Sequence, residues 1–326
     1  MKLRIVLALV PLALTGAAPA WQWNLPAGIA PPAVPADNAM SAAKVELGRR
    51  LFYDADLSLD GTMACATCHE ARHGFGDGNT THPGVTGEAG RRNVPGLANV
   101  AWFSPLTHGD PGLTTLERQV AVPIMGTHPV EMGMKGREDQ IAQRLGHDAC
   151  YRRMFAEAFP ESDGRIDLDT VAKAIASFER TLVSYDSAWD HGAQSAEARG
   201  GERTFRRACA GCHAGVRFTD LGFHRLAPGL AQVDRAASDQ GLYEKTGRED
   251  DRGRFRTPSL RNVAMTGPWW HDGSATSLEE AIARHRLALR PGEVAGLIAF
   301  LRALDDPAFA ANPATRLPDT ACGKPL

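Results

Sequence analysis

Past its first twenty positions the chain has no apolar run long enough to cross a bilayer, which argues against stable membrane insertion. Charge of one sign is missing as well: 36 lysines and arginines face 38 aspartates and glutamates, for a net charge of −2. Basic and aromatic residues are not interleaved in any long stretch, so nucleic acid is a poor partner. Strand signals are weak throughout, which points to a mainly α chain. No acidic loop of EF-hand type is present. Cysteine is scarce, six in 326 residues, and four of the six fall in two stretches of the same spacing.

Those stretches are Cys65-Ala66-Thr67-Cys68-His69 and Cys209-Ala210-Gly211-Cys212-His213. Two thiols three positions apart can each add across one vinyl group of a haem, and the adjoining histidine then lies under the porphyrin as an axial iron ligand. The spacing therefore reads as c-type haem attachment, twice. A zinc site or redox dithiol is the alternative, but both stretches end in histidine and no further Cys-His cluster completes a tetrahedral site. Two covalently bound c-type haems suit a chain long enough for two domains. The expected architecture is two cytochrome c-like haem domains with long loops, an N-terminal one over residues 21–190 and a C-terminal one over 191–326.

Residues 1–20 read as a secretory signal peptide: Lys2 and Arg4, an apolar run from Ile5 to Leu14, and small residues ending Ala18-Pro19-Ala20, with cleavage expected before Trp21. Export to the periplasm fits thioether haem attachment, which takes place outside the bacterial cytoplasm. Cys150 and Cys322 are left over. In an oxidising compartment they can join the C-terminal tail to the first domain; the other reading is one buried and one exposed free thiol.

Residues 21–38, with Pro26, Pro31, Pro32 and Pro35, form an extended leader. Ser41 is a plausible cap for a helix carrying Val45, Leu47, Leu51 and Phe52, and Asp60-Gly61 turns the chain into the first haem motif. From Glu70 to Asn99 no period holds, and a loop of this length inside a domain is usually functional, here by wrapping the haem. Helices are expected over Thr115–Val122, Glu138–Phe159, Leu168–Trp189 and Ala196–Arg207. An irregular charged stretch then runs to Arg256. Ser277-Leu278-Glu279-Glu280 is a capping box opening a helix to about His285 or Leu289, and a last helix spans Gly292–Leu304.

In order, the chain carries Gly48-Arg49-Arg50-Leu51-Phe52-Tyr53, the first haem motif, Asp77-Gly78, Arg92-Asn93-Val94-Pro95, Pro129-Val130-Glu131-Met132-Gly133, Phe178-Glu179-Arg180-Thr181-Leu182, the second motif, Arg256-Thr257-Pro258-Ser259-Leu260-Arg261-Asn262 and Pro268-Trp269-Trp270-His271-Asp272-Gly273. Together these resemble the bacterial di-haem cytochrome c peroxidases and their MauG relatives. Leu106-Thr107 and Pro129-Val130-Glu131 look most like the MbnH-like, methanobactin-associated branch.

The resemblance implies that hydrogen peroxide reacts at the first haem and that the second relays electrons. In the peroxidases a loop histidine can close the first iron. Counting without gaps from His69 to Asn93 places Val85 there, which cannot ligate, so the first haem is expected to be five-coordinate, with His82 as the rival ligand. Glu131 matches the distal acid, and Gln119 and Pro123 lie where relatives line the same pocket. His285 matches the sixth ligand of the second iron, opposite His213; Met265 and His271 are the alternatives. Two imidazoles hold a haem potential below that of a His-Met pair.

The resemblance also implies calcium between the haems, with Asn93 and the Thr257 carbonyl as ligands. Two features depart from the family. His108 stands where relatives carry an inter-haem tryptophan, leaving a propionate contact by His108 or substitution by Trp102 as readings. Arg207 replaces the tryptophan that MauG uses toward its partner. The expected electron source is a side chain, typically tryptophan, of a partner protein, or alternatively a small cytochrome or cupredoxin donor in a peroxide-detoxifying enzyme. A non-catalytic di-haem electron carrier is the reading of a different class.

Overall fold

A computed structural model describes residues 21–225 and 239–325, so the expected signal peptide lies outside the described residues. Ser41 opens the first helix: its Oγ accepts from the Lys44 N–H at 3.2 Å, and α1 (Ala42–Phe52) then buries Leu47, Leu51 and Phe52 completely. Burying each of these side chains stabilises the fold by about 1.5–3 kcal/mol. The leader before it is extended apart from one 3-10 turn at Ala36–Asn38. The first haem motif forms a single turn, α2 (Cys65–Cys68), and the long loop after it holds one 3-10 turn at Ala71–His73 and two isolated antiparallel bridges, Glu70 with Gly76 and Pro83 with Ala89.

The next helices differ from the periodic pattern in instructive ways. α3 (Leu116–Met125) runs past its expected end at Val122 and includes Pro123. The single helix expected over Glu138–Phe159 is two, α4 (Glu138–His147) and α5 (Ala149–Ala158), because Asp148 is extended and its carboxylate accepts from the Cys150 N–H at 2.7 Å. The helix expected to reach Trp189 stops early, as α6 (Leu168–Glu179). Thr181 Oγ1 donates back to the Phe178 carbonyl at 2.7 Å, and Ser184 instead exchanges hydrogen bonds of 2.8 and 2.9 Å with the buried Asn99 side chain. A buried polar group that finds partners outside the helix outweighs helical periodicity.

The second half contains α7 (Ala196–Ala208), a short antiparallel pair β1 (Phe223–Arg225) and β2 (Arg254–Arg256), α8 (Tyr243–Thr246) between these strands, α9 (Leu278–Ala283) and α10 (Glu293–Arg302). The charged stretch expected to be irregular thus carries a strand pair. α9 is capped by Ser277 as expected but ends before His285, because Arg286 turns left-handed at φ 52° and its N–H bonds to the Ala283 carbonyl at 3.0 Å. The chain closes with α11 (Pro307–Ala311) and the pair β3 (Thr320–Ala321) and β4 (Lys324–Pro325).

Two apolar clusters form. One gathers α1, α3, α5 and α6 around Phe52, Phe155 and Phe178; the other gathers α7, α9 and α10 around Phe205, Phe218 and Phe300. Each is crossed by a helix pair in van der Waals contact at glycine. A Cβ on Gly48 would lie 1.9 Å from the Ala174 carbonyl oxygen, and one on Gly201 would lie 1.7 Å from that of Gly296. The tail returns to the first cluster: Phe309 packs into it, the Tyr53 hydroxyl donates to the Thr315 carbonyl at 2.8 Å, and Cys150 and Cys322 are disulfide-bonded across 172 positions. Of the two readings open for these cysteines, the disulfide holds.

Candidate haem sites

Both motif histidines are fixed in the same way. His69 Nδ1 lies 2.7 Å from the Phe75 carbonyl oxygen, and His213 Nδ1 lies 3.2 Å from that of Phe218. With Nδ1 donating to a carbonyl, Nε2 keeps its lone pair for a metal. Each carbonyl belongs to a phenylalanine in left-handed backbone, φ 61° at Phe75 and φ 51° at Phe218, a sparsely populated state for a bulky residue. Burial lowers the pKa of both imidazoles, that of His213 to about 4, so each is neutral and able to ligate at neutral pH. Phe75 and Phe218 went unrecognised in the sequence; their only signal is a phenylalanine five or six residues past each motif.

Around the first motif, Glu131 is brought to the attachment thiols. Its carboxylate is close enough to raise the pKa of both Cys65 and Cys68, and burial raises its own. It makes no ion pair and no side-chain hydrogen bond among the described residues. The backbone around it is pinned on three sides: the Val85 N–H donates to the Glu131 carbonyl at 2.8 Å, the Met132 N–H to the Pro123 carbonyl at 3.0 Å, and the Leu59 N–H to the Met132 carbonyl at 2.8 Å. Gly84 permits this approach, since a Cβ there would meet the Val130 carbonyl oxygen at 1.8 Å. Gln119 and Pro123 lie one turn apart on α3, and the Gln119 Oε1 is buried without a partner.

His82 stays near His69 but its Nδ1 is paired with the fully buried Asp77 carboxylate at 2.7 Å. Glu179, also unrecognised in the sequence as a titrating group, is buried near Cys65, and desolvation pushes its carboxyl up to about 8 against the opposing pull of Arg180.

The second motif opens on a cavity of about 480 Å³. Cys209, Cys212, His213 and His285 line it together, with Phe205 and Leu297 among its apolar walls. His285 Nδ1 lies 2.8 Å from the Ala281 carbonyl oxygen, which again leaves Nε2 for a metal. Trp270 lies beside His285, ring centroids 5.5 Å apart. Met265 is not among the lining residues, whereas His271 is, its ring stacked 3.7 Å from that of Phe255. Neutral imidazoles, paired thiols and apolar walls fit a covalent haem at each motif.

His108, Asn93 and Thr257 line the same cavity. The Asn93 amide donates to the Asn79 and Thr80 carbonyls, both at 3.1 Å, and the Thr257 carbonyl accepts from Thr219 Oγ1 at 2.7 Å. Trp102 is not brought to this cavity: its Nε1 donates to the Ala30 carbonyl at 2.9 Å and its ring stands edge-on to Tyr185. Arg207 is exposed and paired with Glu293 at 2.7 Å. Among the described residues, the one cluster of three metal-donor side chains is Cys212, Asp220 and His224, which shares a cysteine with the haem motif.

The di-haem cytochrome c peroxidase family profile matches residues 42–198. The chain is 33% identical to the methylamine utilization protein MauG of Methylophilus methylotrophus, over 92% of this chain and 95% of that one. It is 31% identical to the cytochrome-c peroxidase IdrP1 of Denitromonas iodatirespirans, over 93% of each. Among solved structures, a MauG-like protein associated with microbial copper homeostasis superposes with a TM-score of 0.86 at 37% identity, covering 92% of this chain and 99% of that one. With two haem-binding motifs, a mostly helical fold and this breadth of similarity, the chain belongs to the family of di-haem cytochrome c peroxidases and MauG oxidoreductases.

Proposed function

We propose that this chain is an exported, periplasmic oxidoreductase that consumes hydrogen peroxide at its N-terminal haem and takes the two balancing electrons, through its C-terminal haem, from a tryptophan side chain of a partner protein. The observation that carries the reading is Glu131: a half-buried carboxyl beside Cys65 and Cys68, with no side-chain partner among the described residues and with Val85 tied to its backbone. Cys65, Cys68 and His69 would hold the first haem, which would supply electrons to the O–O bond. Glu131 takes a proton from the near oxygen of peroxide and returns one to the leaving oxygen, so that peroxide, two protons and two electrons become two waters. Gln119 and Pro123 shape the space in which peroxide lies. Val85 leaves that space open because it carries no ligating atom. His213 and His285 would hold the second haem between them, and the His285 imidazole would keep peroxide out of that site.

The similarity to a MauG-like protein associated with copper homeostasis supports the partner-protein version over a small-cytochrome donor. Asn93 and the Thr257 carbonyl complete the proposal as oxygen ligands for calcium, which chelation and elemental analysis would detect. The two haem units are taken as residues 21–190 and 191–326.

Electron paramagnetic resonance of the ferric, haem-loaded protein tests the first half: one high-spin and one low-spin signal are expected, and two low-spin signals would make the chain a carrier. Incubation with peroxide and candidate partners, first among them any exported metal-binding protein encoded by a neighbouring gene, tests the second. A mass change on one tryptophan is expected; turnover with only a small cytochrome or cupredoxin would return the chain to peroxide detoxification.

A further inference from the structure

Four arginines are buried in the described fold: Arg50, Arg180, Arg256 and Arg261. Three have a carboxylate against the guanidinium, Asp148 at 2.6 Å, Glu117 at 2.8 Å and Asp190 at 2.8 Å respectively. Arg256, only 4% exposed, has none among the described residues. An uncompensated buried charge costs several kcal/mol, so a fold that keeps one has an anion for it. Burial alone shifts this guanidinium, to about 10.

The place where that anion belongs is defined by the neighbours. Arg256 lines the cavity that holds His213 and His285. Its Nε donates to the Thr107 carbonyl at 3.2 Å and its Nη1 to the Thr257 carbonyl at 3.3 Å, while Nη2 has no hydrogen-bond partner among the described residues. Its backbone N–H donates to the His108 carbonyl at 2.8 Å. The Thr107 and Thr257 carbonyls therefore hold the guanidinium in place, and the His108 carbonyl holds the backbone from which it extends. His108 and His271 stand close by, each with one buried ring nitrogen unpartnered. A haem carries two anionic groups, its propionates.

We propose that Arg256 binds a propionate of the second haem through Nη2, its guanidinium positioned by the Thr107 and Thr257 carbonyls, and so raises the reduction potential of that haem. The inference rests on haem attachment at Cys209 and Cys212 and not on the identity of the electron donor. A fixed positive charge beside the porphyrin disfavours the ferric state, which carries one more positive charge than the ferrous state.

The test is spectroelectrochemical titration of the haem-loaded protein with resonance Raman of the propionate bending band. In Arg256→Leu the reduced-to-oxidised ratio of the second haem at the wild-type midpoint falls about tenfold, a shift of about 59 mV for one electron, and the band moves. Arg256→Lys keeps the charge and holds the ratio within about threefold of wild type while still moving the band. If Arg256→Leu fails to load haem, Arg256→Lys and Arg256→Gln carry the test, the glutamine variant falling in ratio as leucine would. An unmoved band and an unchanged midpoint in variants loaded with both haems would overturn the proposal. Neither outcome alters the spin-state pattern that tests the first haem, so failure here is distinct from failure of the peroxidase reading.

Discussion

The two haem cradles are built alike below the iron position and differently above it. Below, each has a Cys-X-X-Cys-His turn whose histidine is held by the carbonyl of a left-handed phenylalanine, Phe75 or Phe218. Beside the first motif stand Glu131 and Val85, an acid and a side chain with no metal-binding atom, whereas an imidazole, that of His285, lines the cavity of the second. Geometry that neutralises and aims an imidazole serves any haem, so it recurs. In the proposed reading, what stands opposite separates a site that reacts from one that passes electrons, so it does not recur.

The largest test of that contrast is Glu131→Gln. The peroxide reaction followed by stopped flow should slow by about a hundredfold or more with the second haem's spectrum intact, and an unchanged rate would remove the acid from the first cradle. His285→Leu probes the other side: the low-spin ferric signal of the second haem should become high-spin, and its persistence would assign the sixth ligand elsewhere. Cys322→Ser frees the tail from the first core only, and should lower stability to chemical denaturation by ~2–4 kcal/mol while leaving the second haem's midpoint in place.

Glu179, present only in the first cradle, has a smaller effect with a definite sign. Its carboxyl is raised from 4.5 to about 8 in the fold, so the protonated form is favoured there. The stability it contributes is full below pH 4.5 and is lost as pH rises toward 8. Glu179→Gln should flatten that decline in denaturation curves collected against pH. Smallest is a shift of profile: burial raises Glu131, so the peroxide rate should fall on the acid side with an inflection above the ordinary carboxylate range, and the glutamine variant should lack it.

Much of this was readable from residue order, since covalent attachment demands a fixed local spacing and both pentapeptides announce it. Ser41 and Ser277 were legible as helix caps for the same reason, because a hydroxyl reaching the N–H three positions on is a local event. The break at Asp148 and the early end of α6 were hidden. Both stretches keep helical periodicity; a carboxylate that accepts from the N–H two positions on interrupts the first, and a partner from far away in the chain, Asn99, draws the second out of its helix.

The order of residues alone established two haems, a mainly helical chain and the family to which it belongs, because each rests on contacts within a few positions or on motifs kept in sequence. Only the folded chain brought Glu131 to the thiols of a motif more than sixty positions earlier, joined Cys150 to Cys322, and left Arg256, among the described residues, without the carboxylate that the other buried arginines have. These depend on which distant segments share a buried volume, and that is decided by packing and desolvation across the whole fold.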